Sequence, residues 1–159
     1  MKKFELTSEF ITNIFGTKLF RIKALIEFGN VKAGELGGFV EKEENLSQDG
    51  NAWVYDNARV YDNARVYGDA CVCGDACVCG DARVCGDAGY ATVHGFGSEY
   101  RTTTFFKTKA GDIGVKCGCF YGNLSEFRKK VVETHGETKK AKEYLMLADL
   151  MEFRFSDNS

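Results

Sequence analysis

The chain contains no proline, a single tryptophan and only two histidines among its 159 residues. No apolar run is long enough to cross a bilayer, and the first residues, MKKFELTSEF, do not form the apolar core of a signal peptide. We therefore expect a cytoplasmic protein without a membrane segment. Without proline there is also no proline-rich linker between domains, so we expect the parts of the chain to pack as one body.

A strong excess of basic charge is also missing. The net charge is −2, and residues 49–100 carry three basic and eight acidic groups. Residues 101–159 are only mildly basic, with eleven basic and eight acidic groups. Because a protein that binds DNA directly needs a basic patch or stripe, we expect no direct DNA binding.

A six-residue unit repeats without interruption over residues 51–88. The blocks are NAWVYD, NARVYD, NARVYG, DACVCG, DACVCG, DARVCG and DAGYAT. A small and a branched residue two positions apart, followed by turn formers, make the hexapeptide pattern of a parallel β-helix. An α-helix cannot keep a six-residue repeat on one stripe, because its period is 3.6 residues. We expect valine to point into the core, alanine to occupy a tight corner, and AspAsn or GlyAsp to form the turn.

Proteins with this motif form left-handed β-helices, and that resemblance implies a triangular coil of three units. Residues eighteen apart should then stack at a spacing of about 4.8 Å. The predicted outward neighbours are Trp53 with Cys71, Arg59 with Cys77, and Arg65 with Arg83. Seven units give little more than two coils, so both open ends need caps. We expect residues 36–48 to supply an irregular first coil or a cap.

Seven cysteines do not indicate disulfides or a metal site here. The number is odd, and a cytoplasmic protein keeps its thiols reduced. Three CysXaaCys pairs occur, at 71/73, 77/79 and 117/119. Zinc needs four ligands at one point, whereas the first two pairs should lie on different faces of the coil. We expect no metal and no cofactor.

The segment before the repeat predicts short strands. Alternating apolar residues on both sides of Phe15, Gly16 and Thr17 indicate a β-hairpin. The sequence GELGGFV, with three glycines in five residues, indicates a tight turn into the repeat.

The segment after the repeat predicts a hairpin and two helices. RTTTFFKT and IGVKCGCFY are strand-like and are joined by the loop LysAlaGlyAsp. Asn123 and Glu126 form a capping box at the start of the first helix, and Gly136 ends it. The second helix covers about 138–153. The predicted fold is thus mainly β with α/β ends: an N-terminal β segment and cap (1–48), a short left-handed parallel β-helix (49–94), and a C-terminal hairpin with two helices (95–159).

Two groups of polar residues are candidates for a binding site. Arg65 and Arg83 stack at one strand spacing beside Tyr67, and like charges at this distance favour a bound anion. Beyond the repeat, a polar strand and its neighbour can stack on a base and bind its phosphates; the candidate residues are Tyr100, Arg101, Thr103 and Lys116. The alternative for the arginine face is a solvated or subunit-packed surface, and for the strand an ordinary exposed strand.

Several stretches carry a family resemblance. They are LeuPheArgIleLysAlaLeu at 19–25, GlyGly at 37–38, GluGluAsnLeuSer at 43–47, the hexapeptides of 51–88, ArgThrThrThrPhe at 101–105, CysGlyCysPhe at 117–120 and GluThrHisGly at 133–136. On these stretches the chain resembles a group of small phage and prophage hexapeptide-repeat proteins with a C-terminal hairpin and two-helix module.

The resemblance implies a non-enzymatic protein that counters host defence in the host cytoplasm. The leading hypothesis is sequestration of a nucleotide-like immune signal by the six candidate residues, in a homotrimer, since hexapeptide prisms commonly form threefold assemblies. An alternative is an inhibitor that docks on a host defence protein such as a CRISPR nuclease, its acidic middle imitating nucleic acid. Further alternatives are a structural phage protein and a hexapeptide acyltransferase with His94 as general base.

Overall fold

The structure is a computed structural model that describes residues 2–86, 89–96, 101–118 and 120–156. Within these ranges the chain is mainly β and ends in two α-helices, as predicted. No helix in the described part of the chain is both long and apolar enough to cross a bilayer.

The first two strands form the predicted antiparallel hairpin. β1 (Phe4–Thr12) pairs with β2 (Lys18–Ala24). The Asn13 side chain closes the turn by accepting hydrogen bonds from the N–H groups of Phe15 and Thr17, at 2.9 and 3.0 Å. Local side-chain bonding of this kind is a common way to form a tight turn.

The predicted turn is present only at the start of the GELGGFV segment, where Gly34 has a φ of 90° and the N–H of Glu35 donates to the Lys32 carbonyl oxygen at 3.0 Å. The rest of the segment is a strand. β3 (Leu36–Val40) pairs antiparallel with β2 and parallel with β5 (Arg59–Val60). Gly37 and Gly38 are buried, and a Cβ added at Gly38 would lie 2.5 Å from the carbonyl oxygen of Ala58. These two glycines therefore serve close backbone packing and not chain reversal.

The repeat forms short parallel strands. They are β4 (Trp53–Val54), β5, β6 (Arg65–Val66), β7 (Cys71–Val72), β8 (Cys77–Val78) and β9 (Arg83–Val84). The three predicted neighbour pairs are confirmed, because Trp53 pairs with Cys71, Arg59 with Cys77 and Arg65 with Arg83. The inward alanines and valines of these units are buried.

These pairings arrange the repeat as three faces, each made of parallel strands. Face I consists of β4 and β7, face II of β3, β5 and β8, and face III of β6 and β9. Hydrogen bonds at the corners follow the same period, since the carboxylates of Asp56 and Asp62 accept from the N–H groups of Gly74 and Gly80. The corner aspartates therefore have a structural use in joining successive turns.

The first turn of the winding is irregular, as expected for residues 36–48. Val40 pairs with Val60 and Leu46 with Val66, a separation of twenty residues instead of eighteen. The buried Lys3 side chain covers the open end beside it and donates to the carbonyl oxygen of Ala52 at 2.7 Å. Burial lowers the pKa of Lys3 to about 8.

The chain after the repeat forms a four-stranded antiparallel sheet in sequential order. Its strands are β10 (Tyr90–Phe96), β11 (Arg101–Lys107), β12 (Ile113–Cys117) and β13 (Phe120–Asn123). The predicted hairpin is β11 with β12 and is confirmed. The segment IGVKCGCFY is not one strand, because the chain reverses near Gly118, whose φ of 58° suits glycine. β10 runs across the predicted boundary at 94/95, and the division into three segments stays a prediction.

Both predicted helices are confirmed. α1 (Leu124–His135) begins at the Asn123–Glu126 capping box, with bonds of 2.8 and 2.9 Å in the two directions. α2 (Lys139–Arg154) follows and packs on the sheet through Tyr144 and other buried residues. The helices cover one side of the four-stranded sheet, so its other side is left to meet the repeat.

Candidate anion-binding site

The N-terminal segment covers face I at Trp53. Trp53 is fully buried, and the rings of Phe4 and Phe28 pack edge-on against it at centroid distances of 6.3 and 5.3 Å. Its side chain points outward from the repeat, as the alternation requires, yet it does not reach solvent. The sequence pattern gives the direction of this side chain but does not show what covers it.

Face II is covered by the C-terminal sheet. Cys79 and Tyr61 are almost fully buried, and the Thr104 hydroxyl accepts a hydrogen bond from the N–H of Cys77 at 3.0 Å. Burial raises the pKa of Cys79 to about 12, so this thiol stays protonated at neutral pH. No cluster of three or more metal-ligating side chains occurs in the described ranges, and Cys119 lies outside them.

Face III keeps exposed side chains. Arg65 and Cys85 are exposed, and Tyr67 is 40% exposed. A groove of about 720 Å³ runs along this face. Its charged and aromatic wall residues are Glu43, Glu44, Arg65, Tyr67 and Arg83.

The two arginines of the groove stack directly in register. Arg65 pairs with Arg83 across β6 and β9, so their side chains start about 4.8 Å apart. Arg83 is held in place because its Nη1 donates to the carbonyl oxygens of Asn63 and Ala82, both at 2.8 Å. Among the described residues, no carboxylate forms an ion pair with either guanidinium. An anion between them would offset their mutual repulsion.

A smaller recess adjoins the groove, and its wall has more cations than carboxylates. It has a volume of about 360 Å³ and shares Arg65 and Arg83 with the groove. Lys42 and Lys109 add two cations to its wall, against the carboxylates of Glu44 and Asp81. The Lys42 ammonium donates to Asn63 Oδ1 at 3.1 Å, which directs it toward this recess.

Of the four predicted site residues whose side chains the structure describes, it brings together Arg65 and Arg83. Tyr100 lies outside the described residues, and Arg101 is described only as the first residue of β11. Thr103 is fully buried, and its hydroxyl donates to the Cys117 sulfur at 3.2 Å. Thr103 points toward the helices and has no contact with solvent.

Lys116 lines a different cleft, on face II. It pairs with Thr104 on the side of the sheet opposite Thr103. Thr103 and Lys116 therefore do not share a surface with each other or with Arg65 and Arg83.

Sequence reasoning missed the residues that the flanking segments add to face III. Glu43 and Glu44 reach it because Leu46 pairs with Val66, and Lys109 reaches its recess because its N–H donates to the carbonyl oxygen of Asp81. Leu46 and Val66 are twenty residues apart instead of eighteen, so a search for a strict six-residue period does not find their pairing. Nothing in the local sequence indicates that Lys109 contacts Asp81.

His94 is exposed on β10 and has one side-chain partner. Its Nδ1 lies 2.9 Å from the Thr102 hydroxyl, so the Nε2 atom is the nitrogen left for proton transfer. No carboxylate in the described ranges forms an ion pair with this imidazole.

Comparison with known proteins gives one partial similarity. No protein-family model matches the chain. Over 63 residues it is 40% identical to a protein of Escherichia coli strain K12 that bears the name uncharacterized acetyltransferase YdcK. The match covers 35% of this chain and 19% of that protein, so the chain spans about a fifth of the length of this relative. The chain is thus similar, over about a third of its length, to a protein named as an acetyltransferase.

Proposed function

We propose that this protein is a non-enzymatic binding protein whose face III groove holds a nucleotide-like anion. The observation that carries the proposal is the stacking of Arg65 on Arg83 beside Tyr67, with neither guanidinium paired to a carboxylate of the described residues. Guanidinium groups bind phosphate in a fork geometry, and a tyrosine ring can stack on a base. The groove volume of about 720 Å³ suits a ligand of this size.

The proposal includes the architecture that presents the groove. The eighteen-residue parallel pairing supports a left-handed β-helix, in which each face repeats the chemistry of one unit. A homotrimer of such prisms would place grooves between subunits, where ligands commonly bind. The biological role we propose, sequestration of a nucleotide immune signal in the host cytoplasm, rests on the resemblance to phage proteins at 19–25 and 43–47.

The corner aspartates give less support to nucleic-acid mimicry by the acidic middle. Asp56 and Asp62 take the left-handed backbone conformation, and their carboxylates accept hydrogen bonds from Gly74 and Gly80. This structural use accounts for their presence at the corners. The Arg65 side chain, in contrast, makes no hydrogen bond or ion pair with the described residues.

Replacing Arg65 by methionine should weaken nucleotide binding at least tenfold without lowering the melting temperature. A charge-assisted hydrogen bond contributes about 1.5–3 kcal/mol. The Arg65 side chain makes no hydrogen bond to the described residues, and its backbone bond to the Ala82 carbonyl oxygen is kept in the variant. Native mass spectrometry of protein purified from host cells would identify a bound nucleotide, and calorimetric titration with that compound would measure its affinity. Arg154→Met, an exposed arginine on α2, is the matched control. Equal affinity in the Arg65 variant and the control would remove this assignment.

The partial similarity to a protein named as an acetyltransferase favours acyl transfer as a second candidate function. His94 would be the base, since its Nε2 is turned away from the Thr102 bond. Our expectation is that incubation with acetyl-coenzyme A and amine or hydroxyl acceptors releases no coenzyme A above the uncatalysed rate. Release that disappears in His94→Ala, with His135→Ala as the control, would replace binding by catalysis as the function.

A further inference from the structure

A second cleft, of about 630 Å³, lies over face II between the N-terminal hairpin and the C-terminal sheet. Its wall combines side chains from four separate parts of the chain. Those that bear on its chemistry are Arg21, Arg59, Asp75, Thr102 and Lys116. None of them lines the groove on face III, so the two sites are physically distinct.

Lys116 is the least expected residue in this cleft. It is only 7% exposed, and its ammonium lies 5.7 Å from the centroid of the Phe15 ring at the hairpin tip. Among the described residues its ammonium has no hydrogen bond and no ion pair. The ammonium nitrogen is not among the buried polar atoms without a partner, so it reaches the open space of the cleft. Its three donors are therefore available to an acceptor bound there.

The other charges do not neutralise Lys116. Arg21 is already satisfied, because it bonds the Glu9 carboxylate at 2.8 Å and the carbonyl oxygen of Gly37 at 2.7 Å. Arg59, in contrast, forms no ion pair in the described part of the chain. Two uncompensated cations therefore face Asp75, the single remaining carboxylate of the wall.

Arg59 and Lys116 line the same cleft on face II, together with Cys77. Burial raises the pKa of the Cys77 thiol, whereas the Tyr61 hydrogen bond and the charges of Arg59 and Lys116 lower it. Thr102 lies on the same wall, and its hydroxyl is oriented by the His94 ring at 2.9 Å. Two cations and a hydroxyl from different strands can surround an oxyanion on three sides.

We propose that this cleft is a second binding site, which takes a phosphate group between Lys116 and Arg59. The site goes beyond the proposed nucleotide groove and does not depend on it. A phosphate has enough oxygens to accept from the ammonium, the guanidinium and the hydroxyl together.

The test is a titration of the whole protein with inorganic phosphate, followed by amide NMR. We expect the amide signals of Cys77, Thr102 and Lys116 to shift, with half-saturation at about 1 mM, as for a small ligand held by two ionic contacts. Lys116→Met should abolish these shifts, because it removes the ammonium and keeps the apolar stem of the side chain. Titration with acetate in place of phosphate distinguishes a phosphate site from a general carboxylate site.

The controls separate this site from the groove on face III. Lys130→Met, an exposed lysine on α1, and Arg65→Met should both leave the face II shifts unchanged. If Lys116→Met fails to fold, Arg59→Gln provides the second test and should weaken phosphate binding at least tenfold. The proposal is overturned if the face II amides do not respond to phosphate, if acetate produces the same shifts at the same concentration, or if the shifts survive in the variants of Lys116 and Arg59.

Discussion

Gly38→Ala is expected to destabilise the protein by about 3 kcal/mol or more, since a new methyl group would be forced against backbone. The added Cβ would lie 2.5 Å from the carbonyl oxygen of Ala58 and 2.7 Å from a methyl group of Val54. The carbonyl cannot simply move away, because it accepts the hydrogen bond from the N–H of Phe39 at 2.9 Å that joins β3 to β5. Relief of the clash therefore requires β3 to separate from the repeat.

Urea unfolding measures this effect through the midpoint, provided that the slope is unchanged. Gly86→Ala is the matched control, because its added Cβ meets no atom of the described residues within 4 Å and its φ is not in the left-handed region. We expect the control to stay within about 0.5 kcal/mol of the parent protein. A similarly small change for Gly38→Ala would mean that β3 does not pack beneath the repeat.

Asn45→Ala is expected to cost about 3 kcal/mol, or roughly 9 °C in melting temperature, because it leaves buried backbone groups without partners. Asn45 is fully buried in the first turn. Its amide donates to the carbonyl oxygens of Ala64 and Asp62 at 2.9 and 3.2 Å, and its oxygen accepts from the N–H of Lys42 at 2.9 Å. One side chain thus provides hydrogen-bond partners for backbone groups in two successive turns of the repeat.

Two further variants show whether these bonds are responsible. Asn63→Ala removes the same side chain from an exposed position and should change the free energy of unfolding by less than about 0.5 kcal/mol. Asn45→Asp keeps the acceptor for Lys42 but loses the donor, so we expect it to be destabilised as well. An Asn45→Ala variant with unchanged stability in the same urea experiment would contradict the proposed importance of these three hydrogen bonds.

Both predictions concern the first turn, where sequence reasoning was least complete. The expectation of an irregular turn over 36–48 is confirmed, whereas Gly37 and Gly38 lie in a strand and not in the predicted turn. A pair of glycines is a turn signal in most contexts. Here the absence of a Cβ is needed because β4 and β5 lie directly against the strand, and that proximity appears only once the chain is wound.

In the candidate site, too, the repeat period predicts one feature correctly, while the grouping of residues from other segments is visible only in the structure. The stacking of Arg65 on Arg83 followed from the period of the repeat and is observed. The grouping of these arginines with Thr103 and Lys116 assumed that neighbouring segments share one surface. The structure instead places Thr103 against the helices and Lys116 over face II, because adjacent positions on a strand point to opposite sides.

The sequence by itself determined the parallel register of the repeat, the burial of its alanines and valines and the capped start of α1. Each depends on a rule that acts within six to eighteen residues: alternation along a strand, a small residue at a corner, or a side chain that bonds the next turn of backbone. Only the tertiary structure decided which faces are covered, why Gly38 must lack a side chain and which cations share a cleft. These features arise where segments distant in sequence meet, and no local pattern records the packing of one such segment on another.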